Sequence, residues 1–325
     1  MKPIFIHSAA LISAQDTFGE SQILNKLNIT DKKVEAIHPN YREFIPPAQA
    51  RRMATSVKMG FAAAKKSLAQ VNLEIPDAII TGTGMGCNED TEKFLNKLIA
   101  DDEQYLTPTA FIQSTHNTVA AQIALALKCH GYNNNHVHGA ASFESAVIDA
   151  QLLILAEEAQ NILVGGVDEL GDEFIDYVIL QNELQQEKIK VPFSEGAGFF
   201  MLGSEKKNAI AQLTDVAIYS KIKSEEVEEK LNDFLTENKV SAGEIDLLLS
   251  GNNGDEFDGF FDKVSEQLSS AKRLNFKEYS GEFHTASVVA FWMAVEKLKY
   301  NEANTVLIYN QFKGENHTFT LLKSC

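Results

Sequence analysis

The sequence is short of cysteine, proline, tryptophan and positive charge, and each shortage removes a class of protein. Three cysteines in 325 residues, Cys87, Cys129 and Cys325, form neither a paired framework nor a Cys-x-x-Cys. That excludes a disulfide scaffold and fits a reducing, cytoplasmic setting. Seven prolines, with no Pro- or Ser-rich stretch, leave no place for a flexible linker. Lys and Arg number 29 against 45 Asp and Glu, a formal net charge of −16. Nucleic acid is therefore excluded as the main partner, because a phosphate backbone is bound by clustered cations. No run approaches the roughly 18 apolar residues of a membrane span. The apolar stretch from Lys2 to Ala14 is broken by His7 and Ser8, whereas the core of a secretory signal is uninterrupted. A first strand over Ile4 to Ser8, leading to a turn near Gly19, is expected instead. Histidine has a gap of its own, since none occurs between His138 and His284.

What is present can bury one large core or two smaller ones, with 44% hydrophobic and 23% charged residues. Helical and strand patterns alternate: Ala50 to Gln70 then Ala78 to Gly82, Ser114 to Leu127 then Asn135 to His138, Ser142 to Glu158 then Ile162 to Gly165. Such alternation predicts largely parallel sheets covered by helices, with an antiparallel edge strand where Phe199 to Leu202 follows the turn Gly196-Ala-Gly198. Strands over Leu213 to Lys221, Leu247 to Ser250, Val306 to Tyr309 and Thr318 to Leu322 match them in the second half. The chain is also written twice. Asp77-Ala-Ile-Ile-Thr-Gly82 recurs as Asp246-Leu-Leu-Leu-Ser-Gly251, and Glu158-Ala-Gln-Asn-Ile-Leu-Val164 as Glu302-Ala-Asn-Thr-Val-Leu-Ile308. The same order in both copies points to a duplicated strand and helix unit. The boundary is expected in Ser204 to Asn208, dividing the chain into residues 1–205 and 206–325.

The stretch Gly139-Ala-Ala-Ser-Phe-Glu-Ser-Ala-Val-Ile-Asp-Ala150 reads as a strand turning sharply into a buried helix. The turn lies in the positive field of the helix N-terminus, where a Cys would be activated or a Ser presented. Ala140 stands there, followed by Ala141, so the architecture of an active site is present without a nucleophile.

Other motifs carry two readings each. Gly82-Thr-Gly84-Met-Gly86 suggests a phosphate loop, but its third Gly comes one residue early, at the place where Cys87 would have to be Gly, and a tight turn fits better. His136 and His138 share a strand face as metal ligands would, yet no third ligand stands at a recognisable spacing. No metal and no cofactor is expected. Arg51, Lys58 and Lys65, spaced by seven, form a basic stripe that is a solvated face or a dock for an acidic protein.

Taken together, Thr107-Pro-Thr-Ala-Phe through His116-Asn-Thr-Val-Ala-Ala-Gln, the Gly139 elbow, Gly165-Gly-Val-Asp, Ser194-Glu-Gly-Ala-Gly198 and Ser280-Gly-Glu-Phe-His284-Thr-Ala resemble the β-ketoacyl synthases. The resemblance implies an α/β, thiolase-like fold, with two duplicated halves in αβαβα layers and mostly parallel five-stranded sheets. It implies an elbow Cys to carry the acyl chain, which falls on Ala140, and two His to promote decarboxylation. One falls on His284, displaced by the extra Glu282 and Phe283. The other should end the strand Leu247 to Ser250, where Gly251-Asn252-Asn253-Gly254 stands instead. Phe312, in Gln-Phe-Lys-Gly314, matches the family loop whose backbone N–H completes an oxyanion hole, or is an ordinary core aromatic. His284 is a residual catalytic imidazole or a structural His bonded at a helix start. Thr109, Ala110, Phe111 and His116 map to the tunnel and dimer seam.

Without the nucleophile and one His, neither acyl transfer nor carbanion formation has its group. Within the family this is the pattern of chain-length-factor subunits, which pair with an active ketosynthase and shape its tunnel, as in aryl-polyene and flexirubin-type pathways. Its partners would be an active ketosynthase or a second copy of itself, with acyl carrier protein meeting mainly the partner. Two other readings stay open: an active synthase, an acyltransferase, whose elbow Cys has been replaced by Ala, and a standalone acyl-binding protein.

Overall fold

Strands form where apolar residues run together, and helices where they recur three and four apart. The computed structural model describes residues 3–19, 24–28, 30–104, 108–185 and 190–325. The first half supplies β1 (Ile4–Ile12), β2 (Lys33–Val34), α1 (Pro47–Ala50), α2 (Thr55–Gln70), β3 (Ala78–Gly82), α3 (Asn88–Ala100), α4 (Pro108–Gln113), α5 (Thr118–Leu127), β4 (Tyr132–His136), α6 (Ser142–Leu155), β5 (Asn161–Asp168), α7 (Asp172–Gln185), β6 (Phe193–Ser194) and β7 (Gly196–Gly203). The second supplies β8 (Ala211–Ser220), α8 (Val227–Glu237), β9 (Leu247–Ser250), α9 (Asp258–Gln267), β10 (Lys272–Asn275), α10 (Lys277–Ser280), α11 (Ser287–Lys299), β11 (Thr305–Phe312) and β12 (Asn316–Lys323).

The main sheet runs β10-β9-β11-β12-β8-β1-β7-β5-β3-β4 and is symmetric about its middle. Outward from β1 lie β7, β5, β3 and β4; outward from β8 lie β12, β11, β9 and β10. In each set of five, four strands point one way and only β7 or β12 opposes them. The sets meet where β1 pairs with β8 over Ile4 to Ile6. This is the duplicated, mostly parallel arrangement expected.

Alternation along the strands sorts side chains between layers. Ala78, Ile80, Leu247 and Leu249 face a central layer made by α6 and α11. Ile79 faces outward to α2 and α5, and Leu248 to α8 and α9. The layers are therefore helix, sheet, helix, sheet, helix. Residues Ser287 to Val295 of α11 are all buried, as befits a helix enclosed on every side. Phe291 closes the centre edge-on against Phe143 and Phe200, at 5.4 and 4.6 Å.

The duplication extends to single hydrogen bonds. Asp77 accepts the N–H groups of Gln160 and Asn161 at 3.0 and 2.9 Å, and Asp246 those of Asn304 and Thr305 at 2.7 and 3.0 Å. Each aspartate thus ties the start of its own strand to the start of the next parallel one.

Four expectations are corrected. The antiparallel strand β7 lies between β1 and β5, not at an edge, and Gly196 to Gly198 are within it. The strand placed at Asn135 to His138 is β4, three residues earlier at its start; Asn has low strand propensity, and ladder pairing of Tyr132–His136 with Ala78–Gly82 overrides it. The helix placed at Ala50 to Gln70 breaks between α1 and α2, where buried Glu169 accepts the N–H of Ser56 at 2.7 Å and caps a new start. The helix placed at Ser114 to Leu127 starts only at Thr118, because α4 ends at Gln113 and the hydroxyls of Thr115 and Thr118 donate to the carbonyl of Ile112 at 3.1 and 2.9 Å in the turn between them. Among the described residues, no helix is long and apolar enough to cross a membrane.

Candidate functional site

The elbow forms as the sequence suggests. After β4 the chain turns at Gly139, whose φ of +56° favours glycine although nothing lies within 4 Å of an added Cβ. A 3-10 turn over Gly139–Ala141 leads into α6. Ser142 Oγ accepts the N–H of His138 at 2.8 Å and donates to the carbonyl of Gly139 at 2.7 Å, pinning the turn. Ala140 and Ala141 are buried in it. The elbow packs against β11 and β12. These strands join through Lys313 and Gly314, both at positive φ, with the N–H of Glu315 on the carbonyl of Phe312 at 3.1 Å. The N–H of Gly314 is occupied by Gln311 Oε1 at 2.8 Å.

His284 and Phe312 come together, ring centroids 5.8 Å apart and edge-on. On its other side His284 lies on Gly84, where an added Cβ would stand 2.2 Å from the His284 Cβ. His284 Nδ1 is buried with no hydrogen-bond partner among the described residues. The bonded group at the start of α11 is its neighbour. Thr285 donates its N–H and hydroxyl to Asp168 Oδ2 at 3.0 and 2.8 Å. The other oxygen, Oδ1, accepts Thr83 Oγ1, Gly84 N–H and Met85 N–H at 2.8, 2.8 and 3.0 Å. The loop that resembled a phosphate cradle is thus filled by the chain's own carboxylate.

Beside His284 lies a cavity of about 230 Å³. Met85, Leu170, Phe174, Val178, Phe283 and Phe312 make it mainly apolar, and His284, Glu282, Asn88 and Asn182 add polar atoms. Glu282 is neutralised by an ion pair with buried Lys277 at 2.6 Å. Neither Ala140 nor Asn252 lines this space. Asn252 is held toward β10, accepting Arg273 Nη2 on its side chain at 2.9 Å and Asn275 Nδ2 on its carbonyl at 3.0 Å. Phe111 and Ile112 are exposed on α4, and exposed His116 lies against Gly86. The side chains of Thr109 and Ala110 lie outside the described residues.

Several buried acids escaped the sequence reading. Glu144, on α6 one turn past Ala140, accepts Thr318 Oγ1 at 3.1 Å, and burial pushes its carboxyl up to about 7. Glu169 accepts the N–H groups of Ser56 and Glu89 at the starts of α2 and α3 and is likewise pushed up by burial to about 7. Glu195 joins Ala36, Leu170 and His38. Only Asp168 and Glu195 had a signal, Asp168 as the end of Gly165-Gly-Val-Asp and Glu195 within Ser194-Glu-Gly-Ala-Gly198. Cys87 is buried, and burial and then Glu169 push its thiol up to about 12. His136 pairs with Asp149 at 2.9 Å and His138 with Ser145 Oγ at 2.8 Å, both on α6. No group of three or more potential ligands is placed to hold a metal among the described residues. The basic stripe is not one helix face: Arg51 sits in the break, Lys58 is half-buried, and Lys65 lies over the Phe61 ring at 5.8 Å.

The site offers a partly open, mainly apolar space beside one imidazole and, apart from it, a helix start without a nucleophile. Among curated proteins nothing matches the chain by sequence. A ketosynthase and chain length factor of ishigamide superposes with a TM-score of 0.82 at 13% identity, covering 99% of each chain. A type II polyketide ketosynthase in complex with its acyl-carrier protein gives 0.82 at 14%, covering 100% of this chain and 99% of that one. A ketosynthase in complex with its chain length factor from Xenorhabdus doucetiae gives 0.79 at 14%, covering 100% and 98%. These likenesses concern the fold. The family model described as the beta-ketoacyl synthase N-terminal domain matches residues 27–230, well over half of the chain, and the chain therefore belongs to the beta-ketoacyl synthase family.

Proposed function

We propose that this chain is the non-condensing member of a ketosynthase pair, which shapes the acyl tunnel of an active partner during carrier-protein-dependent chain elongation of the aryl-polyene type, in the cytoplasm. The observation that carries the reading is the elbow itself: its turn and helix are intact, yet the side chain delivered there is the methyl of Ala140. Asn252, at the place expected of a second His, is bonded into β10, and an amide cannot take up a proton. His284 alone is left for chemistry that needs a nucleophile and two imidazoles.

In this reading residues 1–205 and 206–325 are the two duplicated halves, and Thr109 to Val119 crosses the seam with the partner. Phe111 and Ile112, 57% and 56% exposed, support that placement, since adjacent large apolar side chains left in water mark a contact surface. The test is to co-express the chain with its neighbouring genes and measure native mass, composition and carbon–carbon bond formation. The reading expects a one-to-one complex with a chain that carries Cys and both His, active only when assembled. Condensation by the purified chain alone would overturn it. The apolar cavity beside His284 favours one second reading, a standalone acyl-binding protein. A monomer or homodimer that retains an acyl ligand through purification would support that instead.

A further inference from the structure

Among the described residues, three helices on one side of the molecule bury few of their side chains fully. The 13 residues of α3 have one fully buried side chain, Asn88, and the 14 of α7 have one, Asn182. A surface helix ordinarily buries an apolar stripe. Here Leu95 and Ile99 on α3, Phe111 and Ile112 on α4, and Tyr177 and Leu184 on α7 are about half to three-quarters exposed. The three helices form one surface. The Phe94 and Phe111 rings lie 5.7 Å apart, Glu92 caps α7 by accepting the N–H of Phe174 at 2.8 Å, and Asn96 donates to Glu173 at 2.9 Å.

The charge on this surface is one-sided. Helices α3 and α7 carry seven Asp and Glu against two Lys, and Asp101, Asp102 and Glu103 follow α3. Lys33 offsets Asp172 and Asp176, Lys32 offsets Glu183 and Lys93 offsets Glu89, but Asp90, Glu92, Glu173 and the run Asp101, Asp102 and Glu103 keep the face acidic among the described residues. A contiguous apolar patch rimmed by charge marks a protein contact, and the sign of the rim selects the occupant. A second copy would set acid against acid across a two-fold axis, and an acidic carrier protein would be repelled in the same way. Resting on the reading of the chain as one member of a pair, we infer that the partner subunit extends past α4 over α3 and α7, meeting them with an apolar surface rimmed by Lys and Arg.

The experiment uses the complete pair, the chain co-purified with the ketosynthase encoded beside it, and follows its dissociation constant by native mass at serial dilution. Leu180→Ser with Leu184→Ser, one turn apart on α7 and 50% and 76% exposed, removes exposed apolar surface, and Asp101→Lys with Glu173→Lys reverses the rim. Both double variants are checked for an unchanged far-ultraviolet spectrum and unfolding midpoint. Each should weaken the pair at least tenfold, and salt from 50 to 500 mM should weaken the wild-type pair while affecting the reversed-rim pair less, by the screening of complementary charges. If the wild-type pair forms and both variants pair equally well, the inference falls and the reading of a pair stands. A loss confined to the leucine variant would overturn the basic rim. An isolated chain that dimerises until Leu180 and Leu184 are changed would assign the face to self-association, which also overturns the inference. If no pair forms at all, the reading falls first and takes the inference with it.

Discussion

At position 140 a methyl group limits what the elbow can do, and restoring sulfur there separates placement from chemistry. In Ala140→Cys the thiol should sit at the start of α6, where the N-terminal field lowers a Cys pKa from about 8.5 to about 7 or below. Iodoacetamide should label it faster than Cys129, whose thiol donates to the carbonyl of Pro76 at 3.3 Å and stands at no helix N-terminus. Condensation by the purified variant should remain undetectable, because Asn252 cannot accept a proton. Turnover near that of an ordinary ketosynthase would mean that Ala140 is the only defect and that the chain is a disabled enzyme. A second residue-scale test concerns Glu144. Its folded-state pKa, about 7, lies above that of an exposed glutamate, about 4.3, so folding favours the protonated form. Its stabilising contribution is full below about 4.3 and is lost as pH rises through about 7. Glu144→Gln should therefore gain stability relative to wild type between pH 5 and pH 8, by up to about 3 kcal/mol. Equal pH profiles in urea unfolding would refute the assignment. Ala140, the gap in histidine and the positive-φ glycine were legible in the sequence. Glu144 was not: a lone Glu in an Ala-rich helix reads as the solvent face, and only the sheets on both sides of α6 make it buried.

Elements, more than single residues, hold His284 in place. Asp168 at the end of β5 ties the loop after β3 to the start of α11 through five hydrogen bonds. Asp168→Asn keeps one acceptor oxygen and turns an NH₂ group toward donors, and although a Thr hydroxyl can rotate to accept from it, at least one backbone N–H is left unpaired. A loss of about 3 kcal/mol is expected from the desolvation cost of orphaned buried groups, read as a lower urea midpoint. A change below about 1 kcal/mol would mean that water replaces the missing oxygen. On α4, Phe111→Ala should cost less than about 1 kcal/mol, since the ring is mostly exposed and surface truncations are mild. In the reconstituted pair it should nevertheless change the distribution of product lengths. An unchanged distribution would remove α4 from the tunnel. Existence and order of the elements were readable from periodicity, whereas the breaks before α2 and α5 were not. Both are set by distant or cross-loop partners, Glu169 and the Thr115 and Thr118 hydroxyls, that no local pattern announces.

At the scale of the whole molecule, the two halves share one central layer. Trp292, the single tryptophan, is buried there on α11 among residues from both sets of strands. Urea unfolding followed by its fluorescence should coincide with loss of helix by circular dichroism in one transition. Two separated transitions would show that each half stands alone. The duplication was legible because Asp77 and Asp246 begin matching runs. The joining of both sheets through β1 and β8 was not, since three ladder pairs leave no mark on composition. That narrow junction has a consequence. The two sets of strands are connected in sequence only through Ser204 to Asn208, which are all exposed, and everything else that unites them is non-covalent. The protein is built as a fused dimer of unlike twins. Two polypeptides covering residues 1–205 and 206–325, expressed together, should find each other and rebuild the central layer without the peptide bond between them.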